Sequence, residues 1–243
     1  MVRTATTTLL LDCGFGARET RRRLARLGLE LESLDANLIT HEHGDHVGGL
    51  DPVARQSGAE VWMTHGTRLA CRPKAEVKAV VPDREFTIGD ITVHPYPVPH
   101  DAREPCQFVF AHGGWRLGVL SDLGRFTPRV VEALSDCDAL MIEANHDPVM
   151  LQDGPYPPSL KDRVAGPLGH LSNDQAAALL RRVDSPRVQC LVLTHLSETN
   201  NAPELARDAC AAATGRLPQQ LVLADQDNGT SWLAVTAKEP HAA

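Results

Sequence analysis

No two cysteines of this chain are spaced C-x-x-C. Cys13, Cys71, Cys106, Cys137, Cys190 and Cys210 stand far apart along 243 residues, and in a chain this size they read as reduced, mostly buried thiols of a cytoplasmic protein. Long apolar runs are also missing. Nothing approaches the ~18 residues that a membrane span needs, and before Asp12 the N-terminus offers only Leu9-Leu10-Leu11, short of a signal peptide's apolar region. Basic excess is absent: the formal charge is -7, which excludes gripping nucleic acid by bulk electrostatics. A phosphate-bearing substrate stays open, because bound divalent cations make a cleft locally positive whatever the overall balance. There is no repeat, low-complexity tract or linker, so residues 1–243 read as one mixed α/β domain. Gly14-Phe15-Gly16 lacks the third glycine of a dinucleotide loop and reads as a turn.

What is present is concentrated in Thr40-His41-Glu42-His43-Gly44-Asp45-His46, directly after the apolar stretch Leu34 to Ile39. Imidazole nitrogens and carboxylate oxygens are ordinary ligands of zinc, manganese and iron. Two residues apart on a turn, His41 and His43 can face one ion while Asp45 and His46 swing round to a neighbouring one. Further candidates sit just past expected strands: His100 after Ile91–Val98, Asp122 after Gly118–Leu120, His195 after Val188–Leu193. Together these make seven ligands, a number that suits two divalent ions (Zn²⁺ or Mn²⁺, with Fe as a further option) sharing one carboxylate.

Short β-rich runs alternate with helical patterns around these positions. Strands are expected at Thr6–Leu11, Glu60–Met63, Ile91–Val98, Ala139–Ile142 and Val188–Leu193, with a hairpin joining Gln107–Ala111 to Trp115–Leu120. Helices are expected at Ala17–Leu27, Gly49–Gln56, Ala176–Val183 behind a Ser172–Gln175 capping box, and Ala202–Ala213 behind Pro203. Asp227-Asn228-Gly229 predicts a second hairpin between Leu221–Ala224 and Trp232–Val235.

With these motifs the chain resembles the metallo-β-lactamase-fold hydrolases over nearly its whole length. The resemblance implies a four-layer αββα sandwich with the metals on one edge. It assigns His41, His43 and His100 to one ion, Asp45, His46 and His195 to the other, and makes Asp122 the bridge. The runs Ile142-Glu143-Ala144-Asn145, Gly169-His170-Leu171-Ser172 and Leu193-Thr194-His195 are similar to the tRNA-maturing endonuclease RNase Z. There, a Glu–His pair donates a proton to the leaving oxygen, which makes His170 the general acid and Glu143 its partner, with Asp45 the third catalytic residue. RNase Z itself fits poorly, since only 21 residues separate His100 from Asp122 and leave no room for its tRNA-gripping arm.

The narrower resemblance is to the YycJ/WalJ group, associated with 5′→3′ exonuclease activity on DNA. It rests on Ser121-Asp122-Leu123-Gly124, Glu143-Ala144-Asn145-His146-Asp147, Gly154-Pro155-Tyr156-Pro157 and His195-Leu196-Ser197-Glu198-Thr199-Asn200-Asn201. It implies a nucleic-acid substrate, DNA before RNA. His146 could touch substrate or buttress a ligand, and Tyr156, Lys161 and Arg163, in a Pro-rich loop, could bind phosphate or stack a base. Alternatives are a small-molecule ester, thioester or lactone hydrolase and a non-catalytic metal-holding scaffold. Arg21, Arg22, Arg23 and Arg26 read as a solvated helix face. Relatives in this group begin with a strand and loop before the strand matching Thr6–Leu11, so that strand is expected to lack its hairpin partner. Its open edge would invite pairing with another subunit, unless the true start lies upstream.

Overall fold

The computed structural model describes residues 1–183 and 186–236. Two sheets carry the chain. The first contains β1 (Val2–Arg3), β2 (Thr8–Leu11), β3 (Ala36–Leu38), β4 (Glu60–Thr64) and β5 (Val77–Val80), side by side in that order. The second contains β6 (Phe86–Ile88), β7 (Ile91–Pro97), β8 (Cys106–His112), β9 (Trp115–Leu120), β10 (Ala139–Glu143), β11 (Cys190–Thr194) and β12 (Val222–Leu223), in the order β12-β11-β10-β9-β8-β7-β6. Nine α-helices lie among the described residues: α1 (Ala17–Arg26), α2 (Gly44–Val47), α3 (Leu50–Ser57), α4 (His65–Cys71), α5 (Pro128–Leu134), α6 (Pro148–Asp153), α7 (Pro158–Val164), α8 (Asn173–Arg182) and α9 (Pro203–Thr214).

Side-chain alternation along the strands builds four layers from these parts. Phe108 and Phe110 point between the sheets and pack with Leu9, Leu38 and Ile91, whereas Val109 between them faces the opposite side. Val61 and Met63 turn from the first sheet onto α1 and α3, beside Leu24 and Val53. Leu140 and Ile142 turn from the second sheet onto Leu134 of α5, Leu179 of α8 and Cys210 of α9. Three separate cores therefore interleave helix, sheet, sheet and helix. This is the αββα sandwich that the sequence led us to expect.

Topology then gathers the strand ends. β9, β10 and β11 are mutually parallel, and β7 points the same way because antiparallel β8 lies between it and β9. β2 and β3 are likewise parallel. The residues just past these C-terminal ends thus collect along one edge of the sandwich.

Three expectations need correction. Leu9 is paired on both sides within the chain: Val2 faces it on one edge, next to the Arg3–Thr8 pair, and Ala36 of β3 faces it on the other, while Leu10 and Leu11 pair with β3 alone. The expected missing partner is therefore present in part, as the two-residue β1 against Thr8 and Leu9. It folds back because the Thr4 hydroxyl accepts from the Thr6 and Thr7 amides while Thr4 N–H donates to Thr7 O at 2.9 Å. The hairpin after β12 does not form either. Asp225 and Gly229 make a single antiparallel bridge, and residues 230–236 contain no strand. Arg23 and Arg26 of α1 hold the Gln226 and Asp227 carbonyls, and Trp232 donates to Leu27 O at 3.0 Å, which draws the segment onto α1. Finally, the Pro-rich stretch with Lys161 and Arg163 is helical. Pro148 and Pro158 each start a helix, where a missing N–H costs nothing. By contrast, the Ser172–Gln175 capping box forms as read.

Candidate metal centre and cleft

Each histidine of the cluster commits one ring nitrogen to the chain and leaves the other to converge. Thr40 Oγ1 meets His41 Nδ1 at 2.9 Å, and Asp12 Oδ2 accepts from His46 Nδ1 at 2.8 Å. The Leu168 and Gly169 carbonyls take His100 Nδ1, and Glu143 Oε1 takes His195 Nδ1 at 3.0 Å. His43 is reversed: its Nε2 reaches Asp101 O, so its Nδ1 turns inward and comes within 3.3 Å of His100 Nε2. Partners of this kind fix tautomer and ring orientation, and so fix which nitrogen can ligate.

The inward atoms form overlapping groups, each with its ligand atoms within 4.8 Å of one another: His41, His43 and His100; His41, His46 and Asp122; Asp45, His46 and His195; and Asp122, His170 and His195. Asp122 stands between them, 3.5 Å from His46 Nε2 and 3.6 Å from His195 Nε2. Two atoms show that the cluster fits a cation. His41 Nε2 and Asp122 Oδ2 are buried without any hydrogen-bond partner, a costly arrangement unless a positive ion meets both lone pairs.

The electrostatics agree. Burial, helped by His46, His100 and His43, drives the His41 imidazole far below its ordinary value, so it stays a neutral donor. Burial pulls His46 down too, but the Asp12, Asp45 and Asp122 carboxylates outweigh it and hold it up at about 11. His195 is held at about 9 by Asp122 and Glu143 against the same burial. Hydrogen bonding to His46, more than its partial burial can offset, keeps Asp45 well below the carboxylate range. A divalent ion arriving here would displace the protons of His46 and His195.

Local backbone conformation delivers three of these groups. Asp12, Asp122 and His195 all adopt left-handed conformations, with φ of 56°, 55° and 56°. Non-glycine residues rarely sit there unless their surroundings require it. Gly14 lets α2 approach, since a Cβ there would lie 1.7 Å from Asp45 O.

Glu143, fully buried at the end of β10, links the cluster to His170. Its Oε1 accepts from His170 Nδ1 at 2.8 Å as well as from His195, and its Oε2 accepts from Leu123 N. Burial would raise this carboxyl, but the two imidazoles prevail and hold it at about 2. His170 and His195 open on a cleft of about 630 Å³, lined also by Asp45, Asp101, Tyr156 and Arg163. Lys161 is not on that wall; its ammonium donates to Gln152 O. His146 does not line the cleft either; it is buried and bridged to Ser172, with Nδ1 lacking a hydrogen-bond partner. A larger cavity of about 940 Å³, beside β1 and residues 228–235, contains none of the cluster residues. His94 meets Glu85, His112 meets Asp90, and His241 lies outside the described residues.

Sequence reasoning passed over Asp12, Asp101 and the asparagines. Asp12 accepts from Thr40 N and Thr40 Oγ1 besides His46. Asp101 ties His43 to Arg163, whose Nε lies 2.6 Å from Asp101 Oδ2. Asn201 donates to the Ala144 and Asn145 carbonyls and to Asn173, joining the loops past β10 and β11 to the start of α8. A signal for Asp12 existed, because it too follows a strand end.

Residues 7–196 match the β-lactamase superfamily domain. The chain belongs to the metallo-β-lactamase-fold superfamily. It is 34% identical over 206 residues to the exodeoxyribonuclease WalJ of Streptococcus pneumoniae (82% of this chain, 77% of that one). It is 32% identical over 207 residues to the exodeoxyribonuclease YycJ of Bacillus anthracis (82% and 78%). Among solved structures, the metallo-β-lactamase-fold protein YhfI of Bacillus subtilis superposes with a TM-score of 0.70 at 18% identity, covering 95% of this chain and 88% of that one. Human tRNase Z, short form, gives 0.67 at 18% identity, covering 97% and 91%. At these identities the structural likeness establishes the fold. Among the described residues no helix is long and apolar enough to cross a membrane.

Proposed function

We propose that this protein is a dinuclear metal-dependent phosphodiesterase of nucleic acids, acting on DNA as a 5′→3′ exonuclease in the cytoplasm. The observation that carries the reading is the Glu143 carboxylate shared by His170 and His195. It places an oriented imidazole beside a candidate metal ligand, where the leaving oxygen of a phosphodiester needs a proton. A thioester's thiolate leaving group needs that proton less. The named activity of the WalJ and YycJ relatives supports the same choice.

His41, His43 and His100 would hold one divalent ion, Asp45, His46 and His195 a second, with Asp122 between them. When bound, such a pair lowers the pKa of water and neutralises charge on phosphoryl oxygens. The chain's own groups do the rest. Asp45, ionised and exposed at the cleft, would take the proton of the attacking water. His170, anchored through Nδ1, would give the proton of Nε2 to the departing alkoxide, and Glu143 would hold that ring in place. Arg163 would meet a phosphate and Tyr156 would stack on a base. His146 would buttress the strand-end loops, and Lys161 would lie outside the contact.

Incubation with end-labelled single- and double-stranded DNA and RNA in Mn²⁺ or Zn²⁺ tests the proposal. Release of mononucleotides from DNA is the expected result. Hydrolysis of carboxylic esters without any cleavage of nucleic acid would overturn it.

A further inference from the structure

The Gly14-Phe15-Gly16 turn presents an aromatic ring beside the metal cluster. Among the described residues only Phe15 and Trp232 are exposed aromatics, at 42% and 41%. Trp232 is accounted for by its bond to Leu27 O. Phe15 is held through its backbone, because its loop is fastened to the residues around Asp45 and His46. Cys13 N donates to His46 O at 2.7 Å, Gly49 N donates to Cys13 O at 2.8 Å, and Thr20 Oγ1 donates to Phe15 O at 3.0 Å. Gly49 makes room for that last carbonyl, since a Cβ there would lie 1.7 Å from it. The Arg23 guanidinium stands over the ring, 4.1 Å from its centroid, and is itself fixed by Glu19 Oε1 and Gln226 O.

A cavity adjoins this ring. It measures about 280 Å³, and Phe15 shares its walls with Met1, Leu10, Leu24 and Leu27. Asp45 lines both this cavity and the cleft of about 630 Å³, and is the only residue common to the two. Arg23 links them a second time through Gln226, which lines the cleft. A strand with its scissile phosphate at the cluster can therefore place one flanking nucleoside in the cleft, with Tyr156 and Arg163, and the other at Phe15. The smaller cavity lies at the lower bound of small-molecule pockets, with room for one base and not for a run of them.

We infer that Phe15 and the cavity beside it form a subsite for the base of the terminal nucleotide, held by stacking and apolar burial. The inference rests on the nucleic-acid reading above. Every base has a π-face, and leucine walls offer no donor or acceptor to a base edge. The subsite thus detects that a base is present without reading which one. A place for a single base on one side of Asp45, and a longer cleft on the other, suits removal of nucleotides one at a time.

The test compares strands whose attacked end carries each of the four bases or an abasic nucleotide, with wild type and Phe15→Leu. Leucine keeps much of the apolar bulk and loses the π-face. Wild type should cleave the abasic end about ten- to a hundredfold less well in kcat/KM, chiefly through KM, and treat the four bases within about threefold. Phe15→Leu should narrow the gap between base and abasic ends by at least about threefold, by losing on the strand that carries a base. Damage to folding or to the metal centre would lower both rates and cancel in the ratio. Equal rates on base and abasic ends in wild type, or an unchanged ratio in Phe15→Leu, would each overturn the subsite. Hydrolysis of bis(p-nitrophenyl) phosphate with no oligonucleotide cleavage would instead sink the nucleic-acid reading, and this inference with it.

Discussion

Glu143→Gln removes one charge and almost no volume, yet it should disturb stability and chemistry together. The carboxylate is fully buried and accepts three hydrogen bonds, from His170 and His195 through Oε1 and from Leu123 N through Oε2. An amide has one accepting oxygen. Turned either way, its NH₂ faces the Leu123 amide or both imidazole N–H groups. At least one buried donor then loses its acceptor, and bonds to a charged group become neutral ones. The loss is about 2–4 kcal/mol at pH 7. Titration gives a consistent figure. A carboxyl held at about 2 rather than its ordinary 4.5 contributes about 3 kcal/mol. Because the folded value is depressed, that contribution is complete above about pH 4.5 and fades as pH falls toward 2. Urea unfolding of wild type and variant should therefore show a gap that is widest at neutral pH and shrinks on acidification. The rate should fall as well, because His170 loses its anchor: about 10–10²-fold on oligonucleotides and less on bis(p-nitrophenyl) phosphate. Wild-type stability at pH 7 in the variant would refute the shared-carboxylate account. A gap that grew in acid would refute its sign.

Other outcomes follow from the same geometry. His170→Ala should slow cleavage of substrates with alkoxide leaving groups by roughly 10²–10⁴-fold, while bis(p-nitrophenyl) phosphate suffers much less; equal losses would assign His170 to binding or structure. Elemental analysis of metal-supplied protein should find more than one transition-metal ion per chain, and Asp122→Ala should lower occupancy of both sites. One ion or none in the wild type would end the dinuclear reading. Asp12→Ala should weaken metal binding about 10–100-fold by releasing the His46 ring, which a competitive chelator titration would show; unchanged affinity would leave Asp12 a purely structural residue.

The fold was legible wherever one physical signal ruled. Alternation marked β7 and the β8–β9 hairpin, and the Ser172 box marked α8, because in those places side-chain period or capping chemistry decides the local structure. Residues 230–236 escaped because Trp232 answers to Leu27, and the preceding Gln226 and Asp227 to Arg23 and Arg26, some two hundred residues away. Local sequence cannot report that. β1 escaped for a different reason: two residues make no pattern, and only the Thr4 turn returns them to β2. The helical character of 148–164 was available, since proline at the first helical position is itself a start signal, but proline content read more loudly as loop.

The centre was legible in a more instructive way. Seven candidate ligands converge because a polar residue past a strand end is costly to fold inward without a purpose, and His100, Asp122 and His195 were read by that rule. Asp12 satisfies the rule equally, past β2, in the same left-handed conformation as Asp122 and His195. It went unread because a carboxylate without a metal-like spacing to its neighbours resembles an ordinary turn residue. What reveals its role is a distance, 2.8 Å to His46 Nδ1, that arises only when the ends of β2 and β3 lie side by side. His41, His43, Asp45 and His46 announce themselves through spacing on one loop, whereas the residues that orient His46, His100 and His195 lie elsewhere in the chain. The partners of His100 (Leu168 and Gly169) and of His195 (Glu143) are likewise distant in the chain. The orienting partners of these rings therefore become visible only once the sheet order is known.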